Sequence, residues 1–186
     1  MFLDIGVGIL SSIFISWFFN LPLTFLLIIG GIVFALLMDV DFLFYVFQGK
    51  EVYRHRDLFH YPLIYLPLGT VLLYFFVGIS WAALFFLASL SHFLHDSIGL
   101  GFGVQWLWPF SRDRYTFFYL FQPHSRAQLP FKFIYIWRAG QFDEINKKLG
   151  DPDWFKNIYL NWHPFAVIEY LVFIISIVAL YFYVGK

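Results

Sequence analysis

The sequence predicts an all-α fold: a polytopic membrane helical bundle of about five transmembrane helices, with additional interfacial helices. Three observations predict it. Apolar residues make up 61% of the 186 and charged residues only 13%, and mean hydropathy is +0.72, far from the balance of a soluble domain. The apolar residues fall in five long runs, to be weighed against the roughly 20 residues a helix needs to cross a bilayer. The charged residues gather between those runs. A chain of this length is expected to form a single membrane-embedded domain, 1–186.

Within it, 1–96 reads as a four-helix core. The first run, about 5–19, is short, and Asn20-Leu21-Pro22 reads as a turn with Pro22 suited to the first turn of the next helix. No basic start of a cleavable signal peptide precedes it, so the run is expected to be kept. The second, about 23–47, can span with tilt, and its last third carries Asp39 and Asp41. The third follows His60-Tyr61-Pro62 and continues to about Val77. Gly78-Ile79-Ser80 connects it to the fourth, about 81–96.

From 97 to 163 the chain reads as an interfacial and cytoplasmic segment. Gly99, Gly101 and Gly103 loosen the backbone ahead of Trp106-Leu107-Trp108-Pro109. Residues 117–121 and 131–137 are apolar but short for spans and are expected as interfacial or bundle-packed helices. Residues 141–157 face water as one short helix, ended by Gly150 and Pro152. The final transmembrane helix occupies 164–186, from about Pro164 to Tyr183. Five spans place the 48–60 loop and 97–163 on one side, which then holds every Lys and Arg except Lys186. The positive-inside rule makes that side cytoplasmic, so the expected location is the inner (cytoplasmic) membrane, multi-pass.

Composition also narrows the chemistry. A net charge of zero gives no global field for nucleic acid, and none is expected as a partner. Cysteine is absent, which excludes disulfides and thiolate metal sites. A metal must then use nitrogen and oxygen ligands. Zinc is the first choice, with manganese, iron or magnesium as alternatives, as one ion or two.

Three motifs carry candidate ligands. Asp39-Val40-Asp41 puts two carboxylates at the end of a helix, where the dipole disfavours them; they can serve one site only if the helix unwinds or ends there. His55-Arg56-Asp57-Leu58-Phe59-His60 supplies two imidazoles, with Arg56 able to clamp a phosphoryl or carboxylate oxygen. His92-Phe93-Leu94-His95-Asp96 places His92 and Asp96 four apart on one helix face. Ionisable residues at a membrane-depth helix end are functional candidates by default, and all three motifs are expected at one membrane boundary. Each motif alone also fits a plain helix end reaching for water. His124 and His163, each beside a proline, are expected to be structural.

In this order the motifs, followed by Leu107-Trp108-Pro109-Phe110 after a glycine-rich stretch, resemble the YdjM-type family of LexA-binding, inner-membrane-associated metal-dependent hydrolases. That family is in turn similar to zinc-dependent phospholipase C. The resemblance covers about 37–111. It implies that Asp39 and Asp41 match the first acidic motif, His55 and His60 the His-Arg/His motif, and His92 and Asp96 the His-x-x-x-Asp motif. The family often has glycine after His-Arg and a Thr-His-Ser triplet, where this chain has Asp57 and Phe59-His60-Tyr61; bulky aromatics thus reshape the pocket around His60.

The expected function is a membrane-bound metal-dependent hydrolase of a phosphoester in a lipid or amphiphilic substrate. Asp39, Asp41, His55, His60, His92 and Asp96 are the expected metal ligands. Asp57 or His95 is the expected general base or proton shuttle, and Arg56 the group that stabilises developing negative charge. Membrane lipids are the expected surroundings. Two rival readings use the same residues: a metal-ion or proton transporter, and a non-catalytic structural membrane protein.

Overall fold

The computed structural model describes residues 1–47, 56–57, 59–99, 101–118 and 129–185. His55 and His124 lie outside the described residues. The fold is mainly helical: α1 (Phe2–Phe18), α2 (Phe25–Leu36), α3 (Val40–Phe47), α4 (Pro62–Phe76), α5 (Ile79–Ser97), α6 (Phe142–Leu149) and α7 (Pro164–Val184). Two short strands, β1 (Arg114–Phe117) and β2 (Ile134–Trp137), complete it. The chain divides into two compact units, one of Met1–Val40, Leu66–His92 and Trp162–Lys186, the other of Asp41–Tyr65 and Phe93–Asn161.

In the first unit, α1 packs on α2 and α7. Small residues make the close approach possible. A Cβ at Gly8 would fall 2.7 Å from the Gly31 carbonyl oxygen, and Ser12 Oγ donates to the carbonyls of Gly8 and Leu27 at 2.9 Å each. Glycine and serine at such crossings let membrane helices gain packing and polar contacts where no hydrophobic force joins them. Thr24 caps α2, its Oγ1 accepting from the Leu27 amide at 3.2 Å. That cap starts the helix at Phe25, so Pro22 stays in the preceding turn rather than in the helix. Gly78 takes φ +109°, a conformation open to glycine, and turns the chain into α5.

The count of spans is corrected. Among the described residues, two helical stretches are long and apolar enough to cross a membrane: Phe25–Phe47, of 23 residues, and Pro164–Val184, of 21. α1 has 17 residues and α4 has 15. At 1.5 Å per residue they reach about 22–26 Å, short of the ~30 Å hydrocarbon core. α5 has the length, 19 residues, but its last turns carry Ser89, Ser91, His92, His95, Asp96 and Ser97. The 23-residue stretch is itself interrupted: Leu37–Asp39 tightens into a 3-10 turn between α2 and α3. The backbone thus changes pitch where Asp39 and Asp41 occur, as two carboxylates two apart require.

The second unit contains the other correction. Segment 131–137, expected as a helix, contains β2, and of segment 117–121 the described residues are Phe117, which ends β1, and Phe118. The pair is antiparallel, with Arg114 opposite Trp137 and Phe117 opposite Ile134. β-Branched and aromatic residues favour the pleated surface, and period-2 burial follows: Arg114 and Thr116 of β1 and Tyr135 and Trp137 of β2 point inward. Tyr135 and Trp137 join Phe102, Phe142 and Leu149 in a small core, and Trp137 Nε1 donates to Thr116 Oγ1 at 2.8 Å. The expected water-facing helix forms as α6 and ends at Gly150, whose amide donates to the Asn146 carbonyl at 2.7 Å. Trp106 Nε1 donates to Ser97 Oγ at 2.8 Å, and the Trp108 ring stacks on Tyr61 at 4.4 Å.

Candidate metal centre

In the first unit, α5 delivers His92 into a buried position between two acids. Its Nδ1 lies 3.2 Å from Asp4 Oδ1 and its Nε2 lies 3.7 Å from Asp39 Oδ1. Asp4 comes from the first turn of α1 and is 1% exposed; Asp39, on the 3-10 turn, is 38% exposed. The other oxygen of Asp4 sits 2.9 Å from the Met1 amino group, which also approaches Glu169 Oε2 of α7 at 3.4 Å.

In the second unit the same arrangement recurs around His60. Its Nδ1 lies 2.9 Å from Asp41 Oδ2 and its Nε2 3.1 Å from Asp96 Oδ2. The side chains of His60 and Asp41 are fully buried, and that of Asp96 is 9% exposed. The Phe59 amide donates to Asp41 Oδ2 at 3.4 Å. Arg56 Nη2 donates to Asp96 Oδ1 at 2.8 Å and its Nη1 to the Asp96 carbonyl at 3.2 Å. Phe93 sets a ring edge against His60 at 6.1 Å between centroids.

Asp57 is otherwise engaged. Its Oδ1 accepts from Arg114 Nη2 at 2.6 Å and from Gln105 Nε2 at 3.0 Å. Arg114, on β1, is buried, with its guanidinium carbon 3.9 Å from the centre of the Phe142 ring. Burial pulls the Arg114 guanidinium below its ordinary value, and the Asp57 carboxylate opposes that pull.

The structure therefore places Asp39 beside His92, and Asp41, Asp96 and Arg56 around His60. Asp57 is tied instead to Arg114 and Gln105. His95 is half-buried near the end of α5. His163, expected to be structural, caps α7, its Nδ1 accepting from the Phe165 amide at 3.4 Å. Reasoning from sequence missed Asp4, Gln105 and Arg114 as partners of the site residues. A carboxylate in the first turn of an apolar helix was the available signal for Asp4.

The residues suit a divalent cation. Asp39 with His92 in the first unit, and His60 with Asp96 in the second, each pair a carboxylate oxygen with a ring nitrogen, donor types that zinc, manganese and iron accept. Charge in the second unit points the same way. Asp41 and Asp96 flank His60, and Arg56 supplies one compensating charge for two carboxylates. Asp41 Oδ1 is buried with no hydrogen-bond partner among the described residues. Burying carboxylate charge is costly without a nearby cation.

The family model described as YdjM inner membrane protein matches residues 4–185. The chain belongs to the YdjM inner membrane protein family. The match runs through both units and extends well beyond the 37–111 stretch that carries the motifs. YdjM membership makes this an inner-membrane protein, in keeping with its two apolar spans. No curated protein and no solved structure matches the chain.

Proposed function

We propose that this YdjM-family chain is a membrane-bound metal-dependent hydrolase acting on a phosphoester of a lipid or other amphiphile. The observation that supports it most is the repeated arrangement of a buried imidazole with one ring nitrogen on a carboxylate and the other facing a second carboxylate. The proposed metal ligands are Asp39 and His92 in the first unit and His60 and Asp96 in the second. Asp39 and Asp41 are two apart in the chain, and His92 and Asp96 four apart on α5. His55 was expected in the same set and lies outside the described residues.

A bound divalent ion supplies Lewis-acid polarisation of an ester oxygen. Arg56, already holding Asp96 with both Nη atoms, offers the charge-assisted donors that stabilise negative charge developing on a phosphoryl group. His95 is the proposed proton carrier, half-buried one turn from His92. Asp57 is the weaker candidate for that role because Arg114 and Gln105 occupy its carboxylate. The reading keeps the site at the cytoplasmic boundary of the inner membrane, as expected from the sequence. A substrate that diffuses laterally in the bilayer is the one such a site would meet.

The test is metal analysis of protein purified under metal-replete conditions, comparing wild type with His92→Ala and Asp96→Ala. Hydrolysis of a generic phosphodiester and a generic phosphomonoester is followed in parallel. The reading expects bound metal and turnover in wild type and loss of both in the variants. Wild type without metal overturns it. Metal without turnover, accompanied by metal-dependent flux in vesicles, replaces hydrolysis with transport.

A further inference from the structure

We propose that Asp4 and Asp41 are positioning residues, each fixing one histidine through Nδ1 so that Nε2 is presented for metal binding; this rests on the metal-centre reading above.

The two pairs are built from unrelated parts of the chain yet share a geometry. Asp4, at the start of α1, meets His92 on α5 across 88 positions, with Oδ1 3.2 Å from Nδ1. Asp41, just past the 3-10 turn, meets His60 ahead of α4, with Oδ2 2.9 Å from Nδ1. In both the contacting nitrogen is Nδ1, and in both Nε2 faces another carboxylate, Asp39 or Asp96. A carboxylate at Nδ1 favours the tautomer with the proton there and fixes the ring so that Nε2 is turned to the opposite acid.

Burial separates the orienting acids from the acids on the Nε2 side. Asp4 and Asp41 are at most 1% exposed, as deep as the rings they contact, whereas Asp39 is 38% and Asp96 9% exposed. Each carboxylate has a second contact: Asp4 Oδ2 lies 2.9 Å from the Met1 amino group, and Asp41 Oδ2 accepts from the Phe59 amide at 3.4 Å. Both carboxylates are therefore held where they act on a ring and not on the solvent side.

The experiment uses the full chain in detergent, with zinc as the probe. Zinc affinity is measured by competition with a chromophoric chelator, and the imidazole nitrogens of His60 and His92 are followed by ¹⁵N NMR in zinc-free and zinc-loaded protein. Wild type is expected to show a protected Nδ1–H on both rings and zinc-shifted Nε2 signals. Asp4→Ala is expected to remove that protection from His92 alone and to weaken zinc binding about 10–100-fold. Asp41→Ala is expected to do the same through His60 alone. Asp4→Asn and Asp41→Asn keep an acceptor and are expected to recover most of the affinity.

Wild type that binds no zinc sinks the metal reading, and the zinc-free spectra then still test the orientation. Bare Nδ1 atoms in wild type overturn the positioning role whether or not zinc binds. So do alanine variants that elute and unfold as wild type does and keep both Nδ1–H protection and affinity. If neither alanine variant folds, the asparagine variants and the wild-type spectra decide. Asparagine variants that bind zinc no better than a His92→Ala control overturn it.

Discussion

Replacing Asp57 by alanine separates a clamp from a base. Asp57 Oδ1 is 2.6 Å from Arg114 Nη2 and 3.0 Å from Gln105 Nε2, and both partners are nearly buried. Breaking a fully buried ion pair by removing one partner costs about 3–5 kcal/mol, and an exposed pair contributes about 0–1 kcal/mol. The Asp57 side chain is 34% exposed, which places the loss between these limits, at about 2–3 kcal/mol. For a chain of this size that corresponds to a midpoint lower by about 4–12 °C. Arg114→Met keeps an apolar stem near Phe142 and leaves Asp57 free to turn toward water, so its cost is smaller, about 1 kcal/mol. The double variant no longer strands a buried guanidinium and is expected to be more stable than Asp57→Ala alone. Thermal unfolding of all four proteins in one detergent, followed by near-UV circular dichroism, completes the cycle. A midpoint for Asp57→Ala within about 1 °C of wild type, or strictly additive single losses, refutes the clamp. Hydrolysis lost in Asp57→Ala and still absent in the restabilised double variant would return Asp57 to the chemistry.

Three further outcomes are expected. Gly8→Leu drives a side chain into the Gly31 backbone, which a Cβ alone would approach to 2.7 Å; the variant should fail to elute as a monodisperse species where Gly140→Ala, in open space, behaves as wild type. His163 is held below its ordinary value of 6.5 by burial, and its Nδ1 accepts from the Phe165 amide only when unprotonated. A base depressed in the folded state contributes stability above 6.5 that is lost as pH falls through the folded value. An imidazole titration at or above 6.5 for His163 would contradict this. Finally, zinc at 100 times its dissociation constant should raise wild-type stability by about 2.7 kcal/mol, and a chelator should reverse the gain. Equal midpoints with and without zinc would count against a folded-state metal site.

Much of the helical layout was legible because apolar runs bounded by turns leave little freedom: Gly78 and Gly150 mark ends that the structure keeps. The hairpin was not, for a physical reason. Ile134-Tyr135-Ile136-Trp137 alternates in burial, yet every residue in it is apolar or aromatic, so no alternation of polarity betrays the strand. Counting apolar runs also overstated the spans, because α1 and α4 stop near 17 and 15 residues and α5 spends its last turns on polar side chains. At the site, a shared helix for His92 and Asp96 could be anticipated from spacing, but His92 meets Asp4 and Asp39 while Asp96 meets His60 and Arg56. Asp4 with His92 and Arg114 with Asp57 could not be anticipated, since 88 and 57 positions separate them and only tertiary packing brings them together.

The exposure of the four acids argues for a site rather than a balanced core. A charge network that merely tolerates burial needs each carboxylate paired, and gains nothing from leaving one member of each set nearer water. Here the acid on Nδ1 is the deeper one in both cases, Asp4 at 1% and Asp41 at 0%, and the acid on Nε2 the shallower, Asp39 at 38% and Asp96 at 9%. An ion arriving from water would meet the shallow carboxylate first, then the imidazole that the deep one orients. The gradient therefore fits a centre that must load a cation after the helices have folded. It also predicts an order of loss: removing Asp39 or Asp96 should slow zinc entry, and removing Asp4 or Asp41 should speed its release. Stopped-flow binding to the full chain separates these rates, and an Asp4→Ala variant with wild-type release would break the argument.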